Sequence, residues 1–204
     1  MKKDINIIET AKNLISEQSI SLNNLKERID DNFQSIVELI ASTRGRIIII
    51  GLGKSGIIGR KIVATLNSTG TFASFIHASD ALHGDLGNIN TNDVVLFISK
   101  SGNTEELKKI VPLVNDMNIR TIAMVGNLDS YLALECAFVL DVSIARESCP
   151  NNLAPTTSTT MQLVMGDALA MSLLKIKNFT EEDFAKLHPG GALGQRLSLK
   201  VNEL

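Results

Sequence analysis

The sequence predicts an α/β protein: a flavodoxin-like, doubly wound, five-stranded parallel sheet preceded by N-terminal helices. Three observations lead there. Strand-like and helix-like patterns alternate through most of the 204 residues, the signature of crossover units. The strand candidates include near-continuous apolar runs, IIII at 47–50 and VVLFI at 94–98, as expected for a parallel sheet covered on both faces. Two of these strands end in small polar turns, GLGKSG and SKSGNT, that run straight into helical patterns. In an open parallel sheet such turns lie at the C-terminal edge, where ligands bind.

The elements follow in order. Residues 1–42 carry apolar positions at three-to-four spacing, from Ile5 and Ile8 through Phe33, Ile36 and Ile40, and predict one or two amphipathic helices. Their apolar stripe has two equal destinations, the chain's own sheet or a partner subunit. Residues 43–204 form the sheet domain. Strands are expected at Arg46–Ile50, Thr71–His77, Asp93–Ser99, Arg120–Val125 and Phe138–Val142. Helices are expected at Ile57–Leu66, Glu105–Met117, Thr160–Leu174 and Thr180–Leu187, before a closing segment HPGGALGQRL.

Composition removes several function classes. The net charge is −2 with 20 Lys and Arg scattered along the chain, which argues against a nucleic-acid surface. With no Trp and one Tyr, stacking platforms for bases or flat cofactors are scarce. Cys136 and Cys149 are too widely spaced for a CxxC pattern and are expected as reduced thiols. Neither a leader pattern nor a membrane-length apolar run is visible, so a soluble cytoplasmic protein is expected.

A strand, a glycine turn and a helix N-terminus make an anion site, because free N–H groups and the helix dipole converge there. GLGKSG satisfies GxGxxG at Gly51, Gly53 and Gly56, the dinucleotide pattern. That reading needs an acid at the tip of the second strand, and His77 stands there. A P-loop would need glycine at position 48, which is Ile48. The second turn offers Ser99, Ser101 and Thr104 just before a helix. Any one of them could be a helix cap, but three hydroxyls in six residues match the three oxygens of a phosphate monoester better. Two such loops on one edge suggest a single phosphate held from two sides. His77 has the bland reading of a satisfied edge residue. Glu106 at a helix start is also simply favourable to the dipole.

Together GLGKSGIIGRK, HASDALHGDLG, SKSGNTEEL, ARESCPNNLAPTTSTT, MGDALA and FAKLHPGGALGQRL resemble the arabinose-5-phosphate isomerase family, built on the sugar-isomerase (SIS) fold. The resemblance implies interconversion of D-ribulose 5-phosphate and D-arabinose 5-phosphate without metal or other cofactor, supplying the eight-carbon acidic sugar of lipopolysaccharide or capsule. It implies catalytic roles at Lys54, His83, Glu106, Glu147 and His188, phosphate binding by Ser55, Ser99, Ser101 and Thr104, and contributions from Thr156 and Thr157. It also implies a homotetramer with shared active sites, and no nucleic-acid or membrane partner. Glu147 is the expected base, with burial raising its pKa towards neutrality. Lys54 would stabilise the enediolate oxygen. His188 would open the ring or shuttle a proton, while His83 and Glu106 orient or relay.

Two departures from the family pattern stand out. Members usually carry paired CBS repeats after this domain, whereas this chain stops at KVNEL and so looks like an SIS-only form. The phosphate loop usually reads SNSGE, whereas here it reads SKSGN. Lys100 is then either a cation near the phosphate or a solvated side chain. The competing readings are an isomerase for another sugar phosphate and a non-catalytic sugar-phosphate sensor.

Overall fold

A computed structural model describes residues 6–190 of the chain; the block GALGQRL and the rest of the C-terminal stretch lie outside the described residues. Five parallel strands run β1 (Ile47–Gly51), β2 (Ala73–His77), β3 (Val94–Ser99), β4 (Arg120–Val125) and β5 (Phe138–Asp141), in the order β2-β1-β3-β4-β5. This is the flavodoxin-like order, as the sequence predicts.

The helices are α1 (Ile7–Lys26), α2 (Asp31–Ser42), α3 (Gly53–Ser68), α4 (Ala78–Ala81), α5 (Glu105–Asp116), α6 (Tyr131–Glu135), α7 (Thr157–Ile176) and α8 (Glu181–Leu187). Strand side chains alternate between two cores. Ile47 and Ile49 pack with α2, α3 and α7 on one face, and Ile48 and Ile50 with α4, α5 and α6 on the other. All four are fully buried, and each such burial stabilises the fold by about 1.5–3 kcal/mol.

The N-terminal stripe divides between its two destinations. Asp30 caps α2 by accepting from the Phe33 N–H at 3.1 Å, and α2 buries Phe33, Ile36, Val37 and Ile40 in the chain's own core. Helix α1 touches α7 but leaves Ile7, Ile8, Ile15 and Ile20 exposed. Among the described residues no helix is long and apolar enough to cross a membrane.

Two helices start earlier than predicted, at Gly53 rather than Ile57 and at Thr157 rather than Thr160. The glycine turn is itself the first turn of α3, and the start of α7 is capped from outside its own sequence. Helix α6, five residues long with only Leu132 buried, has too little periodicity to be read from sequence.

Candidate active site

The crevice lies between β1 and β3. Gly51 pairs with Ile98, so Leu52 and Ser99 leave the sheet side by side. The helices that follow, α3 and α5, pack on opposite faces, which opens the edge between them. Helix α3 has Leu52 as N-cap and no capping side chain, leaving its first N–H groups free for an anion. Gly56 lies so close to β1 that a Cβ there would stand 3.2 Å from the Gly51 carbonyl. The glycine spacing therefore serves close helix–strand packing as well as the turn. Lys54 is exposed at this helix start. It borders a cavity of about 390 Å³ together with Gly53, Ile57, Arg60, Phe75 and His77. His77 keeps the bland role read for it: its Nδ1 accepts from the Ser79 N–H at 3.3 Å and caps α4.

The loop after β3 is wound on itself. Ser99 is buried, with 4% exposure; its Oγ accepts from the Gly102 N–H at 3.0 Å and bonds the Thr104 hydroxyl at 2.8 Å. It braces the loop from inside. Either hydroxyl of the Ser99–Thr104 pair can donate to the other, so the pair keeps one hydroxyl proton for another acceptor. Ser101 Oγ accepts from the Asn103 N–H at 3.2 Å and lies 3.5 Å from Ser99 Oγ. Ser55, on α3, accepts from the Gln162 side-chain amide at 3.2 Å. These hydroxyls cluster at the sheet edge with protons available to donate.

Gly102 makes this loop possible. Its φ is +64°, and a Cβ there would collide with the Ser130 side chain. Gly102→Ala is expected to cost roughly 1–3 kcal/mol, lowering the melting temperature by about 2–4 °C per kcal/mol in a chain of this size, and to weaken phosphate binding; calorimetry reads both.

Glu147 differs most from expectation. Its carboxylate has 0% exposure and five donors. Thr156 N–H (2.9 Å), Thr156 Oγ1 (3.2 Å) and Ser158 N–H (3.1 Å) reach one oxygen. Ser158 Oγ and Lys100 Nζ (3.1 Å) reach the other. Burial pushes this carboxyl up, but the hydrogen bonds from Ser158 and Thr156, with Lys100, outweigh it and hold it down to about 2. The expected rise towards neutrality is therefore corrected: burial alone would give it, and five donors reverse it. Glu147 caps α7 from the loop upstream, which is why that helix starts early.

The remaining expected residues fall into three groups. Thr157 has 0% exposure and its hydroxyl bonds that of Ser148 at 2.8 Å, so it braces the loop. Thr156 is likewise engaged by Glu147. Lys54, His83 and Glu106 have side chains without a hydrogen-bond partner among the described residues; Lys54 and His83 are exposed and Glu106 half-buried. His188 sits at the C-cap of α8, stacked on Phe184 at 3.8 Å with Nδ1 2.8 Å from the Phe184 carbonyl. No described contact brings it to the other site residues.

Sequence reasoning missed Ser158 and Gln162. Ser158 was hidden inside a run of capping-type residues, PTTSTT. Gln162 is fully buried on α7 with its Oε1 unpartnered. A buried glutamine on an otherwise apolar helix face is the signal that could have found it.

The model for the SIS domain matches residues 39–172 of the chain. An arabinose 5-phosphate isomerase of Pseudomonas aeruginosa is 47% identical over 204 residues, covering 100% of this chain and 63% of the relative. An arabinose 5-phosphate isomerase of Escherichia coli K12 is 52% identical over 180 residues, covering 88% of this chain and 56% of the relative. The chain thus spans less than two thirds of the length of these relatives. A solved protein of Escherichia coli CFT073 in complex with arabinose 5-phosphate superposes with a TM-score of 0.84 at 36% identity, over 92% of this chain and 100% of that one.

Proposed function

Because the chain belongs to the SIS-domain family, we propose that it is an aldose–ketose isomerase interconverting D-ribulose 5-phosphate and D-arabinose 5-phosphate through a cis-enediolate. The observation that carries this reading is the cluster of hydroxyls. Ser55 and Ser101 each accept a protein hydrogen bond, and Thr104 shares one with Ser99, which leaves hydroxyl protons for a phosphate at the sheet edge. Held there, the phosphate supplies binding energy remote from C1 and C2 and positions them for reaction.

Proton transfer between C1 and C2 needs a base with a free lone pair in reach of substrate. Glu147 has none to offer in this state. Glu106 does, just beyond Thr104 on α5, and is the base in this proposal; His83, also uncommitted, moves the hydroxyl proton. Lys54 stabilises the developing enediolate oxygen. Lys54→Ala is expected to depress kcat by about 10²–10³-fold while weakening binding of a non-isomerisable sugar phosphate far less, and equal effects would reduce it to a phosphate contact.

The exposed isoleucines of α1 support burial against further copies, and the proposed assembly is a homotetramer in which His188 enters a neighbouring subunit's site. The product would supply synthesis of the eight-carbon acidic sugar. Incubation with ribulose 5-phosphate and product identification by NMR tests the activity: arabinose 5-phosphate is expected, and its absence sinks the reading.

A further inference from the structure

The two side chains that set SKSGN apart from the usual loop both have partners of their own. Asn103 Nδ2 donates to the Ser101 carbonyl at 3.3 Å. Asn103 Oδ1 accepts from the Tyr131 N–H at 3.1 Å, at the start of α6. Lys100 runs the other way along the sheet edge. Its carbonyl accepts from the Gly126 N–H at 3.0 Å, past the end of β4. A Cβ on Gly126 would lie 2.8 Å from that carbonyl oxygen and 3.7 Å from Lys100 Cγ, so the glycine is what lets the lysine cross. Beyond β5 its ammonium meets Glu147 at 3.1 Å. Lys100 is not free in solvent: its charge is committed to a buried carboxylate.

That carboxylate is fixed at the start of α7 by four other donors, and α7 carries Gln162, which donates to Ser55. Lys100 therefore links the two halves of the anion grip, the loop after β3 and, through Glu147 and α7, the start of α3. Half of the Lys100 side chain is exposed (46%), but its partner is not exposed at all. The pull is thus asymmetric: the buried end is held and the loop end is what it restrains.

We propose that Lys100 is a positioning residue that ties the phosphate loop to the buried Glu147 carboxylate and thereby sets the affinity of the site for the phosphate group of its substrate. This rests on the sugar-phosphate reading above, but it concerns phosphate binding, which can be measured without turnover. A loop braced before the ligand arrives loses less freedom on binding, and the saving appears as affinity. Without the tie, Ser101 and Thr104 still carry their donors but hold them less firmly relative to Ser55.

The test uses the full chain and inorganic phosphate as probe, by titration calorimetry, beside steady-state kinetics with ribulose 5-phosphate. Lys100→Met should raise the Kd for phosphate and the KM by about tenfold, the range of direct charge-pair couplings, with kcat changed much less. Lys100→Arg, which can still reach the carboxylate, should recover most of the affinity. In a Glu147→Gln background the Lys100→Met change should add little, because the tie is already cut. Should Lys100→Met fold poorly, Lys100→Gln shortens the side chain only slightly, removes the charge and carries the same expectation. An unchanged phosphate Kd in a folded variant overturns the proposal. So does a loss that merely tracks melting temperature, or one that is fully additive with Glu147→Gln. Phosphate binding that responds as expected in a protein that produces no arabinose 5-phosphate would leave this inference standing and remove the isomerase reading instead.

Discussion

Replacing Glu106 by glutamine is expected to lower kcat by about 10²–10⁴-fold, the usual worth of a general base, while KM changes little. The reasoning is one of availability. Both glutamates lie beside loops that follow strands of the sheet, but their lone pairs are differently engaged. Every lone-pair direction of Glu147 is occupied by Ser158, Thr156 or Lys100. Its pKa near 2 also makes it a weak proton acceptor at neutral pH. Glu106 stands in the first turn of α5, directly after the phosphate loop, with its carboxylate uncommitted among the described residues. The isosteric amide keeps the shape and removes the basicity, so the loss should fall on kcat. A Glu106→Gln enzyme with near-normal turnover would transfer the role to His83, whose substitution by glutamine is the control.

Replacing Glu147 by alanine is expected to act mainly on stability, by about 3–5 kcal/mol, because it leaves five buried or half-buried donors without an acceptor. The start of α7 loses its cap, Lys100 loses its partner, and the loop after β5 loses its anchor. The effect should depend on pH with a definite sign. The folded-state pKa of Glu147 lies below its ordinary value of 4.5, at about 2. Its ionisation therefore contributes about 3 kcal/mol at neutral pH, at 1.36 kcal/mol per unit. That contribution is fully present above about pH 5 and is lost as the pH falls from there towards 2. Urea unfolding of the wild type and Glu147→Ala should show their widest gap at about pH 7 and a gap about half closed at about pH 3. A gap that is constant with pH would mean that the carboxylate is not held as an anion.

Much of this fold is legible in the chain because its strands are buried on both sides. IIII and VVLFI read as strands without ambiguity, and their order follows from right-handed crossovers. The two ligand loops are legible for the same reason, since each interrupts an apolar strand with small polar residues before a helix. What could not be read is how polar side chains choose among tertiary partners. Glu147 follows closely on β5, and only the folded loop reveals that Thr156 and Ser158 bend back onto it. Burial alone predicts a raised pKa, and the count of donors reverses the sign. The pairing of Lys100 with Glu147 could not be read from the sequence, because its partner comes from a loop two strands later. Ser99 and Thr157 carry the right functional group in the right loop, yet both face inward, a distinction that residue type does not encode. The start of α3 was placed too late because glycines usually mark the turn before a helix, and here they form its first turn.

The most direct test of the isomerase account is to run the reaction from ribulose 5-phosphate in heavy water and to read C2 of the product by NMR. Abstraction of a C1 proton by a protein base that exchanges with solvent before protonating C2 should give arabinose 5-phosphate with solvent deuterium at C2. Glu106→Gln should slow that incorporation in step with turnover. No arabinose 5-phosphate at all, or turnover that Glu106→Gln leaves near normal, would contradict base-catalysed isomerisation by Glu106 at this site.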